Sequence, residues 1–233
     1  MTRKFLFLLF FFFGISIISV LFLPSLLMPS KIVLLGGKMM GKWASFCLQI
    51  FLNTKIVVKG RENIVKNKKF FIACSHQSIF ETFYLQTIFY SPIFILKHEL
   101  IKIPIFGWYL KKIGSISINR NKISKHNLGL IDKIKNSVQI SDRPLIIFPQ
   151  GTRVLPKEKV PFKKGVGRIY DELKINCQPI AINSGNVWPK NGELVPNKII
   201  TISILPAVRP GMSSIDFTNH IEEKIYNESE IID

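Results

Sequence analysis

The chain has 233 residues, 47% of them apolar, enough for one domain with a sizeable core plus an appendage. Its 32 Lys and Arg against 15 Asp and Glu leave a formal charge of +17, which suits nucleic acid, an anionic membrane surface or an acidic soluble partner; with no zinc-ligand pattern, RNP-like aromatic motif or basic heptad beside it, nucleic acid is not expected. Cys47, Cys74 and Cys177 are odd in number, widely spaced and set in apolar surroundings, which argues against a disulfide framework or a metal site and for a reducing compartment.

The first element follows Arg3 and Lys4: Phe5 to Leu23, uncharged throughout and long enough to enter or cross a bilayer. A cleaved signal peptide also starts basic and then turns apolar, but this run is longer than a usual signal core and no Ala-x-Ala-like site follows. The next stretch, Leu34 to Leu52, is apolar yet carries Lys38 and Lys42, and reads as an interfacial helix with lysines reaching toward headgroups. A single crossing would place the basic N-terminus and the main domain on opposite faces, so a re-entrant or monotopic hairpin fits the charges better. The expected division is 1–54, membrane-associated helices, and 55–233, a folded domain exposed to the cytoplasm. Attraction of roughly 1 kcal/mol per basic residue near anionic lipid is the simplest use of the excess charge.

From Lys55 onward short β-branched runs alternate with helical stretches. Strands are predicted over Ile56–Val58, Phe70–Cys74, Ile93–Leu96, Ser115–Ile118, Leu145–Phe148, Pro179–Ile182 and Ile199–Leu205. Helices are predicted over Ser78–Tyr90, Ile105–Ile113, Ser124–Ile140, Val166–Leu173 and Ser213–Asn227. The alternation predicts an α/β fold, a mixed and largely parallel sheet covered by helices, with reactive groups at strand ends.

At the end of the second strand stands "SHQSIFE", Ser75 to Glu81. On one continuous helix, residues five apart point about 140° away from each other, so His76 meets Glu81 only if it precedes the helix. Ser-Ile-Phe-Glu is a capping-box pattern, with Ser78 as N-cap and Glu81 reaching back, and it permits that geometry; a capping glutamate also needs no catalytic partner. "GSISINR", Gly114 to Arg120, delivers an arginine at another strand end. "LIIFPQGTR", Leu145 to Arg153, ends a buried strand in a glycine, exposed N–H groups, a hydroxyl and a guanidinium, a turn suited to an anion as well as to plain solvent. Lys163 and Lys164 extend that loop. In "PIAINSGNVWPK", Pro179 to Lys190, Ser184 lacks the Gly-x-Ser-x-Gly elbow and reads as a turn residue. His98, His126 and His220 have no carboxylate at telling spacing and read as surface residues.

Taken in order, these blocks resemble the glycerolipid acyltransferase family, in particular its bacterial 1-acyl-sn-glycerol-3-phosphate acyltransferases. That family shows His, four residues, Asp; then Gly, five residues, Arg; then Phe-Pro-Glu-Gly-Thr-Arg; then an apolar strand around a proline. Here the blocks are His76 to Glu81, Gly114 to Arg120, Phe148 to Arg153 and Pro179 to Ile182, within residues 55 to 210. Glu81 stands for the usual Asp, and Gln150 for the usual Glu.

The resemblance implies direct transfer of a fatty acyl group from a thioester, acyl-coenzyme A or acyl carrier protein, to the sn-2 hydroxyl of a lysophosphatidate, giving phosphatidic acid for phospholipid synthesis. It implies His76 as general base and Glu81 as its orienting partner. Arg120 and Arg153 would bind the acceptor phosphate, with Gly151, Thr152 and Lys163 assisting. No metal and no bound cofactor is implied, and the place implied is the inner, cytoplasmic membrane. Two rivals share these residues: the same chemistry on glycerol 3-phosphate or another lyso-lipid, and a non-catalytic basic protein that recruits an anionic partner to a membrane.

Overall fold

The structure, a computed structural model, describes residues 2–66, 68–119 and 129–233. It opens with a helical hairpin, α1 (Thr2–Leu21) and α2 (Ser30–Leu52), turned by a short 3-10 segment over Leu23–Leu27 that starts at Leu23-Pro24. Close approach of the pair depends on Gly14, where a Cβ would stand 2.1 Å from the Trp43 ring. Trp43 lies across it and donates Nε1–H to the Phe10 carbonyl at 3.2 Å. On α1, Phe7, Phe11, Gly14 and Ile18 are buried, a stripe at helical spacing, and most of the remaining apolar side chains face outward. Length and composition would let α1 cross a bilayer: its mean hydropathy reaches 2.4, and no other helix among the described residues passes that test.

Seven strands follow: β1 (Lys55–Lys59), β2 (Phe70–Cys74), β3 (Ile93–Lys97), β4 (Ile116–Ile118), β5 (Leu145–Ile147), β6 (Asn176–Ile182) and β7 (Ile199–Ile204). They form one sheet in the order β1-β7-β6-β2-β5-β3-β4. Five neighbouring pairs are parallel, and β6 with β7 is antiparallel, so β1 and β7 run against the rest. Central strands buried on both faces read as unbroken apolar runs, which is why Phe70–Cys74 is so plain in the sequence.

Successive residues of β2 serve opposite faces. Ile72 and Cys74 join α1, α2 and α3 (Phe80–Ile88) in one apolar cluster, through Phe11, Leu48 and Leu85 among others. Phe71 and Ala73 join a second cluster with α5 (Leu130–Ile140), α6 (Gly165–Leu173) and α7 (Ser214–Ile232). The result is a three-layer α/β sandwich, and the hairpin helps to cover one face of the sheet. α4 (Phe106–Lys112) packs instead at the hairpin's turn, where the Tyr109 hydroxyl donates to the Ser19 carbonyl at 2.6 Å.

The expected elements recur with shifted ends. β6 starts earlier than Pro179 because Cys177 pairs with Phe71 on one side and Val208 on the other. α7 runs past Asn227 to Ile232, which is buried. Of the helix expected over Ser124–Ile140, residues 124–128 lie outside the described residues and Leu130–Ile140 is helical.

Candidate active site

β2, β5 and β6 are parallel, so their C-terminal ends reach the same edge of the sheet, the edge where open α/β folds place their ligands. The segments leaving those ends are Ser75–Ser78, Phe148–Arg153 and Asn183–Gly185, and they build the site.

His76 precedes α3, as the pairing with Glu81 requires. Its main chain is held on both sides: the N–H donates to Gln150 Oε1 at 3.2 Å, and the carbonyl accepts from the Val154 N–H at 2.9 Å. Its ring stacks on Phe148, centroids 4.0 Å apart and planes 18° from parallel. Neighbouring Ser75 ties the strand end to β6, accepting from the Ile182 N–H at 3.0 Å.

Glu81 is completely buried, and donors converge on it. Oε1 accepts from the Gln77 N–H at 2.8 Å, the Ser78 N–H at 2.9 Å and the Ser184 hydroxyl at 2.7 Å; Oε2 accepts from Ser78 at 3.1 Å and stands 3.9 Å from His76 Nδ1. One carboxylate thus both gathers the backbone N–H groups that precede α3 and faces the imidazole. The N-cap is Ile79 and not the expected Ser78, and no side chain caps it; the Ser78 hydroxyl instead accepts from the Phe80 N–H at 3.2 Å. Because the backbone before Phe80 is committed to that carboxylate, α3 starts there and not at Ser78.

Burial pushes the Glu81 carboxyl up to about 7, while the Ser184 hydroxyl and the backbone donors pull the other way. Near neutral pH the group sits close to its own titration, and an imidazolium at 3.9 Å would favour the charged form. That separation lies beyond hydrogen-bond length and within ion-pair range; such contacts commonly tighten when substrate is bound. Nδ1 is buried, so the 13% of the His76 side chain left exposed belongs to the ring's other atoms.

The ring lines a cavity of about 450 Å³ whose walls are mostly apolar, including Met40 of α2, Phe83 of α3, Phe94 and Leu96 of β3, and Leu110 of α4. Thr152 and Arg153 stand on the same lining. A hollow of about 690 Å³ is lined by Ser75, Gln77 and Gln150 among others, and His76 is not on its lining.

Of the residues singled out in the sequence, the structure brings together His76, Glu81, Thr152 and Arg153. Gly151 makes the turn between them, at φ +73°, where a side chain would be strained. Lys163 is exposed; it packs its stem beside Gly151 and is not on the cavity lining. Arg120 and His126 lie outside the described residues. Among the described residues no three His, Cys, Asp or Glu converge in a metal-binding group, and the three cysteines are free and buried.

Ser184 opens a short 3-10 turn, as expected, but sequence reasoning missed its second part: it is fully buried and its hydroxyl bonds Glu81. Its one signal was its place two residues after the apolar strand of the fourth block. At Gln150 the structure accounts for the amide oxygen, while the amide nitrogen is buried without a hydrogen bond among the described residues. The oxygen's task is to accept one N–H in a site with no exposure, and an amide oxygen does this without the cost of burying a charge.

The fold and the site together define an α/β protein with a histidine-carboxylate pair at the carboxyl edge of its sheet, beside an apolar cavity. Residues 55–183 match the family model described as acyltransferase, and the chain belongs to that family. It is 32% identical over 171 residues to a 1-acyl-sn-glycerol-3-phosphate acyltransferase of Pseudomonas aeruginosa, over 71% of this chain and 65% of that protein. The enzyme of the same name from Helicobacter pylori is 31% identical over 160 residues, 67% of each chain. That from Saccharomyces cerevisiae is 27% identical over 169 residues, 68% of this chain and 55% of the relative. The chain therefore spans somewhat less than two thirds of the Pseudomonas protein and about half of the yeast one. The crystal structure of PlsC from Thermotoga maritima, a 1-acyl-sn-glycerophosphate acyltransferase, superposes with a TM-score of 0.80 at 24% identity, over 99% of this chain and 97% of that one. This likeness of fold takes in the helical hairpin as well as the sheet.

Proposed function

We propose that this protein transfers a fatty acyl group from an acyl thioester to the sn-2 hydroxyl of 1-acyl-sn-glycerol 3-phosphate, giving phosphatidic acid, while seated on the cytoplasmic face of the inner membrane. The observation that carries the reading is the juxtaposition of His76, backed by buried Glu81, with an apolar cavity that also holds Arg153 on its lining. A lysophosphatidate has matching parts: an acyl chain for the apolar walls, a phosphate for a guanidinium, and a hydroxyl between them.

In this mechanism the neutral His76 ring carries its proton on Nδ1, toward Glu81, and offers Nε2 to the acceptor hydroxyl. As the hydroxyl oxygen attacks the thioester carbonyl, its proton passes to Nε2, and the imidazolium is balanced by the Glu81 carboxylate. The tetrahedral adduct then collapses: the carbon–sulfur bond breaks, the ester remains, and the thiolate takes the proton back. Phe148 stacks on the ring, and the two backbone bonds at His76 hold the main chain that carries it. Arg153 would hold the phosphate, with Arg120 and Lys163 proposed to assist it.

The test is purified protein with lysophosphatidate and either acyl-coenzyme A or acyl carrier protein as donor, followed by lipid product analysis. Formation of phosphatidic acid, lost in His76→Ala, supports the reading; thioester that stays intact with both donors overturns it. A phosphate-free lyso-lipid used equally well would remove the arginine from its role.

A further inference from the structure

Between β3 and β4 the chain makes a short apolar excursion that the chemistry above does not use on its outer side. Facing inward, Leu100, Phe106, Tyr109, Leu110 and Ile113 form part of the cavity lining. Facing outward, Ile103 is 45% exposed and Trp108, which is not on the lining, 51%. The excursion is thus a thin wall, apolar on both sides. Two large apolar side chains left exposed on so short a segment suit a surface that meets something other than water.

Its backbone is strained in the same place. Ile105 has φ 63° and ψ −60°, and the Phe106 N–H donates to the Pro104 carbonyl at 2.6 Å, a γ-turn of the rare positive-φ kind built on a β-branched residue. The Tyr109 hydroxyl pins the wall to the Ser19 carbonyl of the hairpin. The wall therefore abuts the hairpin, on which Ile17, Val20, Leu21 and Leu27 are also exposed. Lys97, Lys102, Lys111 and Lys112 ring it, all exposed, against one acid, Glu99, which lies 3.7 Å from Lys97.

We propose that this lip, Leu100 to Lys112, is a second membrane contact, with Trp108 and Ile103 entering the interface of a bilayer whose anionic headgroups its lysines meet, so that the cavity opens beneath it onto lipid. An aromatic with an apolar body, flanked by cations, suits that boundary. The proposal rests on the proposed function only in taking the cavity as the lipid substrate's site.

All three native cysteines are buried, so Trp108→Cys gives the full-length protein a single exposed thiol for an environment-sensitive dye; Ile140→Cys, on α5 at the opposite face of the sheet, gives the control. With vesicles of phosphatidylcholine and phosphatidylglycerol, the dye at 108 should shift to the blue and lose its access to an aqueous quencher, while the dye at 140 keeps both. Lys111→Gln and Lys112→Gln should each weaken vesicle binding roughly fivefold. Equal quenching at both positions overturns the proposal. So does shielding at 108 by an acidic acyl carrier protein but not by vesicles. Trp108→Glu should lower turnover of a long-chain acceptor in vesicles while sparing a short-chain, monodisperse one. Should no variant or parent turn over any acceptor, the catalytic reading fails, and the dye still decides the lip.

Discussion

Replacing Glu81 by Gln removes the carboxyl group buried beneath His76 and leaves its volume nearly unchanged. The structure sets the magnitude. An ordinary glutamate titrates near 4.5, and burial raises this one to about 7; at ~1.4 kcal/mol per pH unit the interval corresponds to about 3 kcal/mol. The sign follows from the protons. Below pH 4.5 both folded and unfolded chains carry the proton, and nothing is lost. Between pH 4.5 and 7 the unfolded chain releases it and the folded chain does not, so stability falls as pH rises, and above 7 the loss is complete. The Glu81→Gln variant has no such dependence. Urea unfolding of both proteins in one detergent at several pH values, each repeated in the His76→Ala background to remove the coupled imidazole, isolates the effect, because the titrations of distant groups cancel in the difference. The absolute difference also contains an amide nitrogen facing the Gln77 and Ser78 N–H groups, so the slope is the diagnostic quantity. A difference between wild type and variant that stays flat from pH 4.5 to 8 would refute the argument.

His76→Ala should slow acyl transfer by about 10²- to 10⁴-fold while the circular dichroism spectrum stays native, and near-normal turnover would take the base role from this residue. The acid limb of kcat/KM should lie near pH 7, where Glu81 loses its charge as pH falls. Ser184→Ala removes a hydroxyl that lowers that value, so the limb should move to higher pH, which a pH-rate profile would register. Arg153→Ala should raise the KM for lysophosphatidate by about tenfold or more, with a smaller change in kcat, as expected for a lost charged hydrogen bond to phosphate. Gly41→Val meets the Phe83 carbonyl, 2.4 Å from where its Cβ would stand, and backbone cannot step aside; a loss of about 1–3 kcal/mol should appear as a lowered midpoint in thermal unfolding.

The parallel strands were legible because a strand buried on both faces writes itself as an uninterrupted apolar run, as Phe70–Cys74 and Leu145–Ile147 do. Their ends blurred wherever tertiary bonds extended or cut them, as Val208 did for β6 and Glu81 for α3. The spacing of His76 and Glu81 stated a condition, that the histidine lie outside the helix, and the structure meets it. Ser184 was out of reach because it joins Glu81 across 103 positions. The cavity was hidden for the same reason: its walls come from α2, α3, α4, β3 and the β5 loop, and no local pattern announces that such distant faces converge.

The seating of α1 has one more consequence. Phe7 and Phe11 set their edges against Trp188 at 5.0 and 4.9 Å, deep in the layer beneath the sheet. Trimming away the first two helices, the usual route to a soluble fragment, would therefore strip the roof from the body it was meant to release. The hairpin and the sheet share one core, so a chain shortened to begin at β1 should lose stability rather than gain solubility.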